Sequence, residues 1–193
     1  MQTEKGDKRS GRERLIATAR DLFTRRGASN VGINDVTDTA GVAKMTLYNN
    51  FASKEALTLA VYEEMTQATL HDLRDMATAG QSEETRILEL FDQLSGAGRQ
   101  ADPRGCPFIH ASLQPAEPAG PIHALVRSYK RALREHVLGL LDQRRPDRAD
   151  LADQIVILLD GMATEGYLGG VAHPKTAAKR AAAVLLRAVG AAA

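Results

Sequence analysis

The chain has no tryptophan, aromatic residues make up 4 % of its 193 positions, and cysteine occurs once. Scarce aromatics beside abundant Ala, Leu, Arg, Asp and Glu disfavour β-rich folds and favour helices. A single Cys106 permits no intrachain disulfide and, because the first eleven residues are polar rather than an apolar leader, points to a reducing cytoplasm. Long hydrophobic runs are also missing. The strongest, Ile155 to Leu159 and Ala181 to Leu186, are far too short to span a bilayer, so no membrane partner is expected. No GxGxxG, P-loop or GxSxG pattern occurs. His71, His110, His123, His136 and His173 show no HxxxH or HExxH spacing. His110 follows Cys106 by one helical turn, but a small thiol is a normal core residue. The expectation is a non-enzyme with no catalytic residue, metal or cofactor.

What is present is a globular composition, 44 % apolar and 25 % charged, with a formal net charge of only +1. That balance hides an asymmetry. Residues 1–54 carry 10 Lys and Arg against 6 Asp and Glu, whereas the remainder carries 15 against 18. The amino-terminal quarter is therefore the part suited to a polyanion.

Helical spacing and caps divide the chain. Ser10 and Glu13 form a capping box ahead of Leu15, Ile16, Ala19, Leu22 and Phe23, and Gly27 ends that helix. Gly32 and Asp35 start a short second helix that stops at Gly41, where glycine can turn the chain left-handed. A third helix, Lys44 to Asn50, follows almost at once, and Ser53 caps a long fourth. Two short helices joined by a glycine turn behind a longer one satisfy the geometry of a helix-turn-helix, although the spacing alone also suits an αα-hairpin in a bundle.

The order Ile16, Ala19, Leu22, Phe23, Gly27, Val36, Ala40-Gly41-Val42, Thr46-Leu47-Tyr48, Phe51, Lys54-Glu55 and Leu57 resembles the amino-terminal domain of TetR-family transcriptional regulators. The resemblance implies an all-α protein: a helix-turn-helix DNA-binding domain over 1–54, then a helical ligand-binding and dimerisation domain over 55–193. Its third helix would enter the major groove, with Leu47 and Phe51 turned inward. Lys44, Met45 and Asn49 are then candidates for base edges, and Thr46, Tyr48, Asn50 and Lys54 for phosphates. Lys54 has an independent argument, because it lies in the first turn of the fourth helix, where free N–H groups and the helix dipole favour an anion. Ala43 lacks the capping hydroxyl often found in the family, and Asn50 replaces a common histidine, so base preference does not transfer.

Beyond Ser53 the pattern gives further helices. They cover Ile87 to Leu94, a short apolar piece from Cys106 to Leu113, a long segment opening at Ile122, then Leu151 to Leu168 and Lys175 to Val189. Gly105-Cys106-Pro107-Phe108-Ile109 resembles, more weakly, a motif of one carboxy-terminal subgroup of the family. Large or polar-tipped side chains on inward stripes (Met65, Phe91, Leu94, Phe108, His110, Tyr129, Met162) are the candidates for a small-molecule effector site. The last helix is alanine-rich on nearly every side and needs a covering surface, so the last two helices are expected to pair with a second copy. These readings combine as a homodimeric repressor released from a palindromic operator by a small apolar or amphipathic molecule. The alternative is a helical ligand-binding protein or enzyme whose helix-turn-helix is only structural.

Overall fold

Ser10 opens the first helix as its spacing predicts. Its hydroxyl accepts the Glu13 N–H at 3.2 Å, and the Glu13 carboxylate accepts the Ser10 N–H at 2.6 Å. The computed structural model describes residues 9–76, 79–95, 106–108, 111 and 120–188. They form two compact units, one up to Met65 and one from Thr66 onward. The described residues hold α1 (Gly11–Arg26), α2 (Ile33–Ala40), α3 (Lys44–Asn50), α4 (Lys54–Arg74), α5 (Glu83–Leu94), α6 (Pro121–Leu140), α7 (Arg148–Leu168) and α8 (Pro174–Ala188). Pro107, Phe108 and Ala111 are helical, while the rest of the predicted Cys106 to Leu113 segment lies largely outside the described residues.

In the first unit α1 packs on α2 and α3, and Leu15, Ile16 and Ala19 of α1, Val36 of α2 and Leu47 of α3 are all buried. The first part of α4 adds Leu57, Val61 and Tyr62 to this core, and the Tyr62 ring stacks on Phe23 with centroids 6.5 Å apart. Neither α2 nor α3 is long enough to persist alone in water, so burial of these side chains is what keeps them helical.

In the second unit α8 packs on α7 and α5, and α6 on α7 and α5. Ile87, Leu90, Phe91, Leu133, Val137, Leu151, Ile155 and Ala182 form the core. The link between α6 and α7 is fastened by three arginines. Arg145, largely buried, donates to Glu83 Oε2, to the Leu186 carbonyl, each at 3.0 Å, and to both oxygens of Asp147. Arg86 donates to the Leu140 carbonyl at 2.7 Å, and Arg148 Nε to the Leu138 carbonyl at 3.0 Å. Two carbonyls at the end of α6 thereby gain cationic donors, which the helix dipole favours. Arg148 lies inside α7, so this helix starts three residues before the apolar stripe at Leu151; periodicity marks the buried face rather than the first turn.

His136 is half-buried on α6, and its Nε2 is shielded from solvent with no hydrogen-bond partner among the described residues. Burial, and after it the charge of Arg74, pushes its pKa below the ordinary 6.5. The unfolded chain takes up this proton at higher pH than the folded one, so the stability present above pH 6.5 is lost as pH falls towards the folded pKa. Hydrogen exchange at α6 amides should therefore quicken between about pH 7 and about pH 5, after correction for intrinsic rates. His136→Gln should flatten this dependence; an unchanged slope would contradict the assignment.

Candidate nucleic-acid interface

The turn between α2 and α3 is set by Gly41, at φ 61° and ψ 42° in the left-handed region that glycine adopts without penalty. Its N–H donates to the Asp38 carbonyl at 3.2 Å and the Val42 N–H to Thr37 at 3.1 Å, which closes the end of α2. The Arg14 guanidinium, from α1, donates to the carbonyls of both Ala40 and Gly41. A Cβ added at Gly41 would stand 3.0 Å from Arg14 Nη2. Glycine therefore supplies both the turn and the space for its clamp. Arg14 is a positioning residue that the apolar pattern does not single out; the only signal is a charged residue next to the buried Leu15.

Past this turn, Ala43 precedes α3 with no side-chain cap. Leu47 is fully buried, and Phe51, whose N–H donates to the Leu47 carbonyl at 2.8 Å, is buried under the Arg12 guanidinium. The α1 backbone approaches α3 so closely that a Cβ at Gly11 would meet Thr46 Cγ2 at 2.9 Å. Anchored on that side, α3 turns Lys44, Met45, Tyr48, Asn49 and Asn50 to solvent, with Met45 69 % and Tyr48 46 % exposed. Thr46 is half-buried. Asn50 Nδ2 donates to the Thr46 carbonyl at 2.7 Å, so that amide is tied to its own helix.

Lys54 is half-exposed at the first position of α4. The Ser53 hydroxyl accepts the Ala56 N–H at 3.2 Å. It also donates to Glu55, whose carboxyl is held below its ordinary range first by that bond and then by its own backbone N–H. A carboxylate thus already occupies part of the α4 terminus, which makes the lysine charge, more than the free N–H groups, the feature at Lys54 that suits a phosphate.

The effector candidates are less gathered. Phe91, Phe108, Tyr129 and Met162 are buried in the second unit, and the Phe108 and Tyr129 rings lie 4.4 Å apart. Leu94 is half-buried, Met65 belongs to the first unit, and His110 lies outside the described residues. No group of three or more His, Cys, Asp or Glu among the described residues is placed to hold a metal ion, and none of their helices is long and apolar enough to cross a membrane.

Two short helices joined by a glycine turn and packed on a third, with a polar outward face on the last, define a helix-turn-helix. Residues 15–61 match the family model described as bacterial regulatory proteins, tetR family. Over 83 residues the chain is 34 % identical to the HTH-type transcriptional repressor NemR of Escherichia coli, an alignment covering 42 % of each chain. It is 40 % identical over 57 residues to the HTH-type transcriptional activator FasR of Mycolicibacterium smegmatis, covering 30 % of this chain and 25 % of that one. These alignments thus span less than half the length of the curated relatives. A crystal structure of a TetR-family transcriptional regulator from Streptomyces coelicolor superposes with a TM-score of 0.80 at 26 % identity, covering 93 % of this chain and 95 % of that one. Residues 15–61 thus form an amino-terminal domain of the TetR family, and the chain as a whole has a fold like that of a TetR-family regulator.

Replacing Gly41 by Ala should destabilise the first unit by about 1–2 kcal/mol from the left-handed backbone alone, and further by displacing Arg14. Gly41→Asn should cost less, since Asn tolerates that region. Thermal melts followed by circular dichroism measure both; an alanine variant as stable as the parent would refute the turn assignment.

Proposed function

We propose that the chain is a DNA-binding transcriptional regulator that acts as a homodimer on a palindromic operator, with α3 in the major groove, and that a small apolar or amphipathic molecule releases it. The observation that carries the reading is the two-sided α3. Leu47 and Phe51 hold one side, while Lys44, Met45, Tyr48 and Asn49 stand in solvent with no structural task. Lys44 and Asn49 carry donors suited to guanine and adenine edges, and Tyr48 and Lys54 carry groups suited to phosphates. Repression is favoured over activation because the longer alignment is to a protein named as a repressor.

Lys54→Ala should weaken binding to every duplex alike and lower the slope of log affinity against log salt by about 0.9. Lys44→Ala should instead relax discrimination at one base pair, by about 1–3 kcal/mol. Fluorescence anisotropy across a salt series, on specific and scrambled duplexes, separates the two roles. Equal loss on both duplexes for Lys44→Ala would remove it from base reading.

Dimerisation is supported by the uncovered face of α7 and α8, where Ile157 is 69 %, Leu168 66 % and Val184 61 % exposed, with Gly161 and Ala177 between them. Small residues allow close helix packing, and a contiguous apolar face marks an interface. An arginine there would be an unpaired charge in a buried contact. Sedimentation of Val184→Arg should give a folded monomer; a dimer of parental stability would place the interface elsewhere. For the effector, the buried Phe91, Phe108, Tyr129 and Met162 with the half-buried Leu94 are the proposed lining, Tyr129 supplying the polar tip.

A further inference from the structure

On α3 the deepest-reaching side chains follow from helix geometry. Asn49 is rotated about 200° from Leu47 and so lies opposite the anchored side; Met45, one turn earlier, lies beside it. These two residues form the outermost ridge, with Met45 69 % exposed. Lys44, Tyr48 and Asn50 flank that ridge, and Asn50 is engaged with Thr46. A thioether on the ridge cannot donate a hydrogen bond and accepts one only weakly. Among the features a duplex shows in its major groove, the apolar one is the C5-methyl of thymine; the others are donors and acceptors.

We propose that Met45 reads the C5-methyl of a thymine in each operator half-site, next to the base pair contacted by Asn49. The assignment rests on the reading of α3 as the groove-binding helix. It makes Met45 a specificity-determining residue whose contribution is apolar burial, whereas Asn49 contributes directional hydrogen bonds. Such a contact rejects cytosine, whose exposed edge lacks the methyl, and it rejects uracil at the same position although the pairing is unchanged. Because Met45 supports nothing in the core, its replacement leaves the unit folded.

Duplexes enriched by the full chain from a randomised pool provide the probe. Each thymine is then replaced by uracil, symmetrically in both half-sites, and binding is measured with the parent, Met45→Ala and Met45→Leu proteins. For the parent, one symmetric position should weaken binding by about fourfold per half-site, the effect of one buried methyl. Met45→Ala should bind the thymine and uracil duplexes alike, and Met45→Leu should restore the difference. Lys44→Ala should lose affinity yet keep it. Parent binding within about twofold for every thymine-to-uracil duplex, or full discrimination retained by Met45→Ala, would overturn the assignment while leaving the regulator reading intact. A pool that yields no enriched sequence would overturn both.

Discussion

The orientation of α3 depends on one guanidinium and one glycine. Gly41 turns the chain at a positive φ, and Arg14 holds the two carbonyls that the end of α2 presents there. A helix of seven residues has little stability of its own, so its direction is inherited from this corner and from the Leu47 side chain beneath it. Every outward group on α3 inherits that direction in turn. The close approach of Gly11 to Thr46 constrains the first turn of α3 from the α1 side, again by the absence of a side chain.

The second unit obeys a different economy. Its apolar core accounts for cohesion, whereas the fastening of its connection falls to Arg86, Arg145 and Arg148, each donating to main-chain carbonyls. Arg145 joins the start of α5, the start of α7 and the end of α8 through Glu83, Asp147 and Leu186. Lys175 and Lys179 of α8 add ion pairs to Asp92 of α5, whose carboxyl is held below its ordinary range chiefly by Lys179. With those polar contacts made inside the unit, the most exposed large apolar side chains among its described residues, Ile157, Leu168 and Val184, lie on α7 and α8, which is why the proposed second copy is expected there.

What acts locally is legible in the sequence. The Ser10–Glu13 box, the glycines at 27 and 41 and the Ser53 cap each work within a few residues, so spacing reveals them. The inward pair Leu47 and Phe51, and hence the outward face of α3, follow from the same short-range arithmetic. What acts at a distance is not legible: Arg14 meets Gly41 across 27 positions, and Arg145 meets Glu83 across 62. Rotamer choices are equally silent, so the tie of Asn50 to Thr46 and the hold of Ser53 on Glu55 emerge only from the structure. The alanine-rich last helix shows both limits. Ala178, Ala182 and Leu186 are buried as an apolar stripe should be, yet Val184 on the opposite side is exposed in the single chain.

The central claim is that α3 reads DNA from the major groove, and chemical interference tests it most directly. Dimethyl sulfate marks guanine N7 in the major groove and adenine N3 in the minor groove of the same duplex. On the duplex preferred by the protein, N7 methylation within two half-sites about one helical turn apart should block binding, and this block should weaken when Lys44 and Asn49 are both replaced by Ala. Interference confined to adenine N3, or an N7 pattern indifferent to these replacements, would contradict the account.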